Sequence, residues 1–398
     1  MTIAGFITWI YPGAYRRRIL CAHGQTGIST PIVFADRLLV AIQLLTTFIF
    51  LNLIATPAWS QQQEFVCDVA GSNSSGSASA DDQTPFAYQF ESGARWSLCW
   101  HIDEKAGLIL TNVGYAAPQE PLRQVMRQAS IGQILFQYDQ DTTATPLVSE
   151  IGLGGARILR DGPAQCDDGQ LQSSSLALSS VCVKERDLNL MTQVRNEAPT
   201  RRHQVSLHIW SRIDNFIYQT VWRLSEDGEI APAVELAGQL SEFTTDPRFG
   251  SPVGGSSSSR LASNATWLST WRLEFAIDGN NAQDAIDEVQ FPFNITDVVR
   301  RPINTTRLLT ESFRQVDREQ FRGWVIRDTQ ATATSLLDDT GNPINNLSYF
   351  LDPQPSGFDY LNRANDWSIF DIAITRTNDC EQLASGNSRV NNLSLIHI

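Results

Sequence analysis

Five histidines, six cysteines and 43 carboxylates are the side chains of this 398-residue chain able to ligate a metal or move a proton. Their spacing decides whether they can act together. Two imidazoles share a metal from one strand face when they follow H-x-H, and from one helix face in a motif such as H-E-x-x-H. His23, His101, His203, His208 and His397 offer neither pattern, and His203 and His208 read as strand-face residues. Glu185 and Asp187 have the separation of a carboxylate pair, which acid–base chemistry would use, but we read them as a solvated loop. The stretch "GLGGAR" (152–157) lacks the third glycine of a dinucleotide fingerprint and reads as a turn. The chain contains no C-x-x-C and no P-loop. Its formal charge of -13 repels phosphate, which argues against a nucleic-acid partner and mildly favours cationic small molecules.

Any site must therefore be assembled from strands. Apolar residues alternate with polar ones in "GLILTNVGY" (107–115), "HQVSLHIW" (203–210) and "TWLSTWRLEFAIDG" (266–279). In the last of these, Trp267, Trp271, Leu273, Phe275 and Ile277 share one face. In "SEDGEI" (225–230), Asp227-Gly228 lies between two such runs and predicts a hairpin closed by a tight primed turn. No long stretch carries a helical period. Short strands with turn signals over about three hundred residues imply an all-β chain, a large antiparallel sandwich.

Ahead of the strands the character changes. Residues 38–59 open with "LLVAIQLLTTFIFLNLIA", an apolar run of bilayer-spanning length preceded by Arg16, Arg17, Arg18 and Arg37. It predicts one N-terminal transmembrane or signal helix, either a cleaved signal peptide or an uncleaved signal anchor, with residues 1–37 as a basic cytosolic tail. Either reading places the remainder outside the cell or in the secretory lumen, secreted or anchored to the membrane through 38–59. Residues 60–89, which include "GSNSSGSASADDQT", read as a polar linker, with the folded domain beyond. Cys67, Cys99, Cys166, Cys182 and Cys380 follow the apolar run, an odd number that leaves one thiol unassigned. Asn73, Asn264, Asn294, Asn304 and Asn346 head N-x-S/T triplets and are glycosylation candidates.

The segment "NFIYQTVWRLSEDGEIAPAVELAGQL" (215–240) resembles the stretch of copper-containing primary amine oxidases that carries their quinone-forming tyrosine. Asn215, Tyr218, Trp222, Asp227, Gly228, Ile230, Val234, Leu236, Gly238 and Leu240 match that pattern without a gap. Six further segments follow in the family's order: "GLILTNVGY", "RQASIGQILFQY", "SEIGLGG", "CVKERD", "WRLEFAIDG" and "CEQLASGN". The resemblance covers roughly 90–390 and implies the family's catalytic β-sandwich over 90–392. It also implies a disulfide between Cys166 and Cys182, worth about 3 kcal/mol in the chain-entropy model. The final "LSLIHI" (393–398) departs from the pattern and reads as a sequencing artefact, with the natural protein longer and a distal copper histidine beyond it.

The family's mechanism makes four demands of such a chain, each tied to a position. Phe216 stands where a tyrosine becomes the quinone, and it has no ring oxygen to ligate copper or start that oxidation. Leu147 stands where an aspartate takes the substrate's α-proton. Ala265 and Trp267 stand where H-x-H holds copper. The expectation is a catalytically inactive homologue, without copper or quinone, that serves a binding or structural role with an unidentified protein or small-molecule partner. The alternative is an active primary-amine oxidase converting amine, oxygen and water to aldehyde, ammonia and peroxide with a quinone built on another residue. Tyr218 is the nearest candidate, about 6 to 7 Å along the strand and expected to miss the same copper. Glu274 stands at a calcium-site aspartate of the family, with Asp278 nearby, so calcium is a further candidate ligand. A homodimer is implied by the resemblance.

Overall fold

The computed structural model describes residues 9–12, 67, 83–159, 166–174, 179–192, 200–252, 261–279, 284–290, 304–315, 322–328, 348–352, 370–375 and 396–397. The apolar run at 38–59, Asn73, Asn294, Asn346 and Cys380 lie outside them. Among the described residues no helix is long and apolar enough to cross a membrane.

The principal strands, in chain order, are β1 (Thr84–Gln89), β2 (Arg95–Asp103), β3 (Gly107–Ala116), β4 (Arg123–Tyr138) and β5 (Gln170–Ser173). Then come β6 (Ser180–Thr192), β7 (Thr200–Ile213), β8 (Phe216–Ser225), β9 (Ile230–Gly238) and β10 (Ala265–Phe275). The last four are β11 (Asp284–Gln290), β12 (Asn304–Leu308), β13 (Gly323–Asp328) and β14 (Ser348–Asp352). A ten-stranded sheet runs β12-β11-β13-β14, then the short strand Trp9–Pro12, then β9-β8-β7-β6-β5. The second sheet runs Ser312–Arg314, Ile372–Ile374, Ile396–His397, then β10-β4-β3-β2-β1. Each described pairing in both is antiparallel. The predicted all-β sandwich is what forms. The sheet begins at Thr84, so the folded domain takes in six residues assigned above to the linker.

One core lies between the sheets because alternate residues of both point into it. Val205, Leu207 and Ile209 of β7 and Tyr218, Trp222 and Leu224 of β8 enter from one sheet; Trp267, Trp271, Leu273 and Phe275 of β10 enter from the other. Trp222 meets Trp271 edge to face with ring centroids 5.1 Å apart. Such contacts add about 1 kcal/mol beyond burial. The β4 partner slips register opposite Thr270 and Trp271, while β10 keeps its alternation through that irregularity.

Side chains also join the two sheets directly. Trp96 Nε1 donates to Ser225 O at 2.9 Å, and Tyr115 Oη donates to Glu226 O at 2.7 Å. At the opposite edge, Gln172 on β5 accepts from Trp100 Nε1 and donates to Pro85 O on β1. Pro85 sits on the outermost strand, where its missing N–H costs no ladder bond. Disulfides join Cys166 to Cys182, as the resemblance implied, and Cys67 to Cys99, which ties the chain ahead of β1 to β2.

Two local expectations need correcting. The β8–β9 hairpin forms, but its loop is the three residues Glu226, Asp227 and Gly228, not a two-residue primed turn. Gly228 N–H reaches Ser225 O and Ser225 N–H reaches Glu229 O, with Gly228 at φ 88°. That is a turn ending in a left-handed glycine, the other common way to close a hairpin. Glu185 and Asp187 lie on β6, not on a loop; Asp187 is the ladder partner of His203, and the Glu185 carboxylate lies diagonally 3.6 Å from the His203 Nδ1.

Candidate functional site

Two of the positions singled out by the sequence, Phe216 and Trp267, meet at the end of the β8–β9 hairpin remote from its loop. β7 turns into β8 through Asp214 and Asn215, with Asp214 at φ 50°, a conformation that Asp tolerates better than most residues. This puts Phe216 first on β8, directly opposite Gly238 of β9. Gly238 has φ 152°, and a Cβ there would fall 2.4 Å from Asn215 O and 2.7 Å from Phe216 Cδ1. Glycine is what lets the Asn215 carbonyl and the Phe216 ring approach the β9 backbone this closely.

Phe216 and Trp267 are 51 residues apart and on different sheets, yet their ring centroids are 5.3 Å apart. The sequence register that aligned a quinone position with a copper position therefore brings the two together in space. Phe136 of β4 completes the group, 5.1 Å from Trp267 and 6.0 Å from Phe216. It is the cross-strand partner of Trp267, and Tyr138 is the partner of Ala265. Leu147 is the first residue of a one-turn helix, α1 (Leu147–Glu150), and is buried in the same core. Gln133 holds that turn, its side-chain oxygen accepting from Val148 N–H at 2.7 Å and its amide donating to Ser149 Oγ at 2.9 Å.

Beside the rings, Tyr138 Oη lies 3.3 Å from Ser241 Oγ. Trp267 Nε1 donates to Tyr218 Oη at 3.1 Å, and burial pushes the Tyr218 hydroxyl up to about 12. Tyr218 lies 6.5 Å from Phe216 ring to ring, as strand spacing predicts. Its hydroxyl touches Trp267, the residue standing at one of the two copper-histidine positions. Sequence reasoning missed this bond and the whole part played by Phe136 and Tyr138. Alternation placed Tyr218 and Trp267 inward, but which inward residues meet is set by strand pairing.

Copper does not fit this donor set. Ala265 offers a methyl group, and the indole nitrogen of Trp267 is a donor with no lone pair for a metal. The imidazole of His208 is on the other face of β7 from Leu207 and Ile209, where Ser206 Oγ lies 2.6 Å from Nε2 and Gln219 Nε2 lies 2.7 Å from Nδ1. Burial, then the charges of Lys184 and Arg223, lower His208 to about 4. Ser206 Oγ also donates to Lys184 O at 3.2 Å, so it accepts from Nε2–H, and Gln219 donates to Nδ1. The ring is thus held neutral by a closed set of bonds.

The calcium expectation meets the same difficulty. Glu274 bonds Arg272 through one oxygen and Arg127 through the other, the latter at 2.7 Å. Both Asp278 oxygens go to Arg123, with Nε at 2.7 Å. All four carboxylate oxygens already face guanidinium, which leaves no anionic cradle for a hard cation. Among the described residues no group of three or more His, Cys, Asp or Glu side chains is placed to hold a metal ion.

A family model described as "Copper amine oxidase, enzyme domain" matches residues 170–395, more than half of the chain. The chain belongs to the copper amine oxidase family. Its fold is similar to that of a copper-containing benzylamine oxidase from Hansenula polymorpha, at 16% sequence identity and a TM-score of 0.52, covering 76% of this chain and 52% of that one. It is also similar to the lysyl oxidase PPLO of Pichia pastoris, at 14% identity and a TM-score of 0.50, covering 73% of this chain and 42% of that one. The chain thus spans about half the length of these solved amine oxidases. No curated protein matches it.

Proposed function

We propose that this chain is a copper amine oxidase homologue in which the redox centre has become part of the hydrophobic core, leaving a binding or structural role. The observation that carries the reading is the packing of Phe216 against Trp267 at 5.3 Å, with Phe136 closing the group. By the register of the resemblance, a ring without oxygen stands at the position of the quinone-forming tyrosine and an indole at that of a copper-binding histidine. Leu147 adds an apolar side chain where a proton acceptor would be needed. Two disulfides support an oxidising compartment, so the protein is read as secreted or membrane-anchored, with a protein or small-molecule partner and a homodimer as its assembly.

One observation favours the rival, an active primary-amine oxidase. The Tyr218 hydroxyl reaches Trp267, so a tyrosine is present at the former centre. Its burial, against the opposing pull of the Trp267 N–H, keeps that hydroxyl protonated, the wrong state for a metal ligand. Redox-cycling stain and phenylhydrazine titration on the protein incubated with copper in air separate the two. No stain and no adduct are expected; an adduct mapping to Tyr218 establishes the rival.

A further inference from the structure

Two N-x-T triplets fall within the described residues, and their surroundings differ. Asn264 is half-buried between the short strand Leu261–Ser263 and β10. Its side-chain oxygen accepts from Ser251 Oγ at 3.0 Å, its N–H reaches Phe249 O and its carbonyl receives Asp139 N–H. The next residue, Ala265, already packs against the core. Asn304 opens β12, the outermost strand of the ten-stranded sheet, and Asn304, Thr305 and Thr306 are all exposed.

Among the described residues β12 pairs with β11 on one side and with no strand on the other. A strand edge with free backbone N–H and C=O groups is a template for pairing with another chain. Leu309, immediately after β12, is 85% exposed and adds apolar surface to it. Arg307 ties the strand back to Asp287 of β11, and the three residues ahead of it carry no such tie.

We propose that Asn304 carries an N-linked glycan and that the glycan shields this sheet edge from self-association. The donor is a polyprenyl-pyrophosphate-linked oligosaccharide. Asn304 Nδ2 forms a bond to its anomeric carbon, the pyrophosphate departs with the electron pair, and the amide loses one proton, with no change of oxidation state. The Thr306 hydroxyl completes the recognised triplet. A bulky polar chain at this position stands in solvent and displaces no core side chain. The inference rests on the secretory placement proposed above.

The test is to produce the full chain in eukaryotic secretory cells and release N-glycans enzymatically in heavy-oxygen water, then map peptides. Labelled aspartate is expected at Asn304, with Asn264 unlabelled. Protease protection of the chain in microsomes is measured alongside. A protected chain with Asn304 unlabelled overturns the inference and leaves the secretory reading standing; an unprotected chain without glycan overturns both. Thr306→Ala keeps Asn304 and the fold, and is expected to lose one glycan in gel mobility and to gain light scattering on concentration. Unchanged scattering after loss of that glycan overturns the shielding role.

Discussion

The two ends of the β8–β9 hairpin are built from opposite materials. At the loop end, Arg202 bridges Asp227 at 2.8 Å and the fully buried Glu229 side chain, while Trp96 and Tyr115 donate to loop carbonyls. At the other end, Phe216, Trp267 and Phe136 meet ring to ring, and Trp267 Nε1 donates to Tyr218 Oη. The loop end keeps the Asp-Gly of the family pattern because a left-handed glycine and a carboxylate are what this loop and its bridging arginine need. On the reading proposed above, the other end needs polar residues only for chemistry, and without that demand apolar rings are the stable filling for a space between two sheets.

If this contrast is right, the aromatic end is held by packing and the loop end by charge. Phe216→Ala removes a ring enclosed by three others, and should lower stability by about 3 to 5 kcal/mol in denaturant titration. A loss below about 1 kcal/mol would show that the ring cluster is not what holds this end. At the loop end, Arg202→Ala leaves Glu229 buried without its partner and should cost about 3 kcal/mol. Glu229 is already pushed up to about 7 by burial against the pull of Arg202, so in that variant it should take up a proton near neutral pH. Proton uptake on folding, followed by calorimetry in buffers of different ionisation heat, checks this.

A third region tests whether polarity elsewhere is structural. His208 is lowered to about 4 in the folded protein against about 6.5 when unfolded, so the fold holds the neutral ring. Its contribution is complete above pH 6.5 and is lost progressively as pH falls toward 4, about 3 kcal/mol in all. His208→Gln should flatten stability across that window, and a slope unchanged from the parent would assign the pH dependence to other groups. The smallest effect belongs to Trp267→Phe, which keeps a ring but deletes the bond to Tyr218. It should cost about 1 kcal/mol and shift the tyrosine absorbance titration.

Much of the fold was legible from alternation. Trp267, Trp271, Leu273 and Phe275 do share the core face, because period two is a property of one strand and needs no partner, and Ile277 joins the same core from the turn after β10. The Cys166–Cys182 bond and the adjacency of positions 216 and 267 came from resemblance, which carries pairing information that a single chain's pattern lacks. The meeting of Phe136 and Tyr138 with positions 267 and 265 was hidden for that reason. The ion pairs at Glu274 and Asp278 were hidden too, since their arginines come from β4 as well as from β10 and a carboxylate's partner is set by cross-strand register. The Cys67–Cys99 bond was hidden because Cys67 lies in a stretch whose composition signals only a linker.

The measurement that bears most directly on the conversion of a redox centre into core is amine-dependent peroxide release by the copper-incubated, air-exposed protein. With primary amines as substrate, peroxide should not rise above a blank containing copper alone. Peroxide that depends on amine, scales with protein and is abolished by phenylhydrazine would contradict the account.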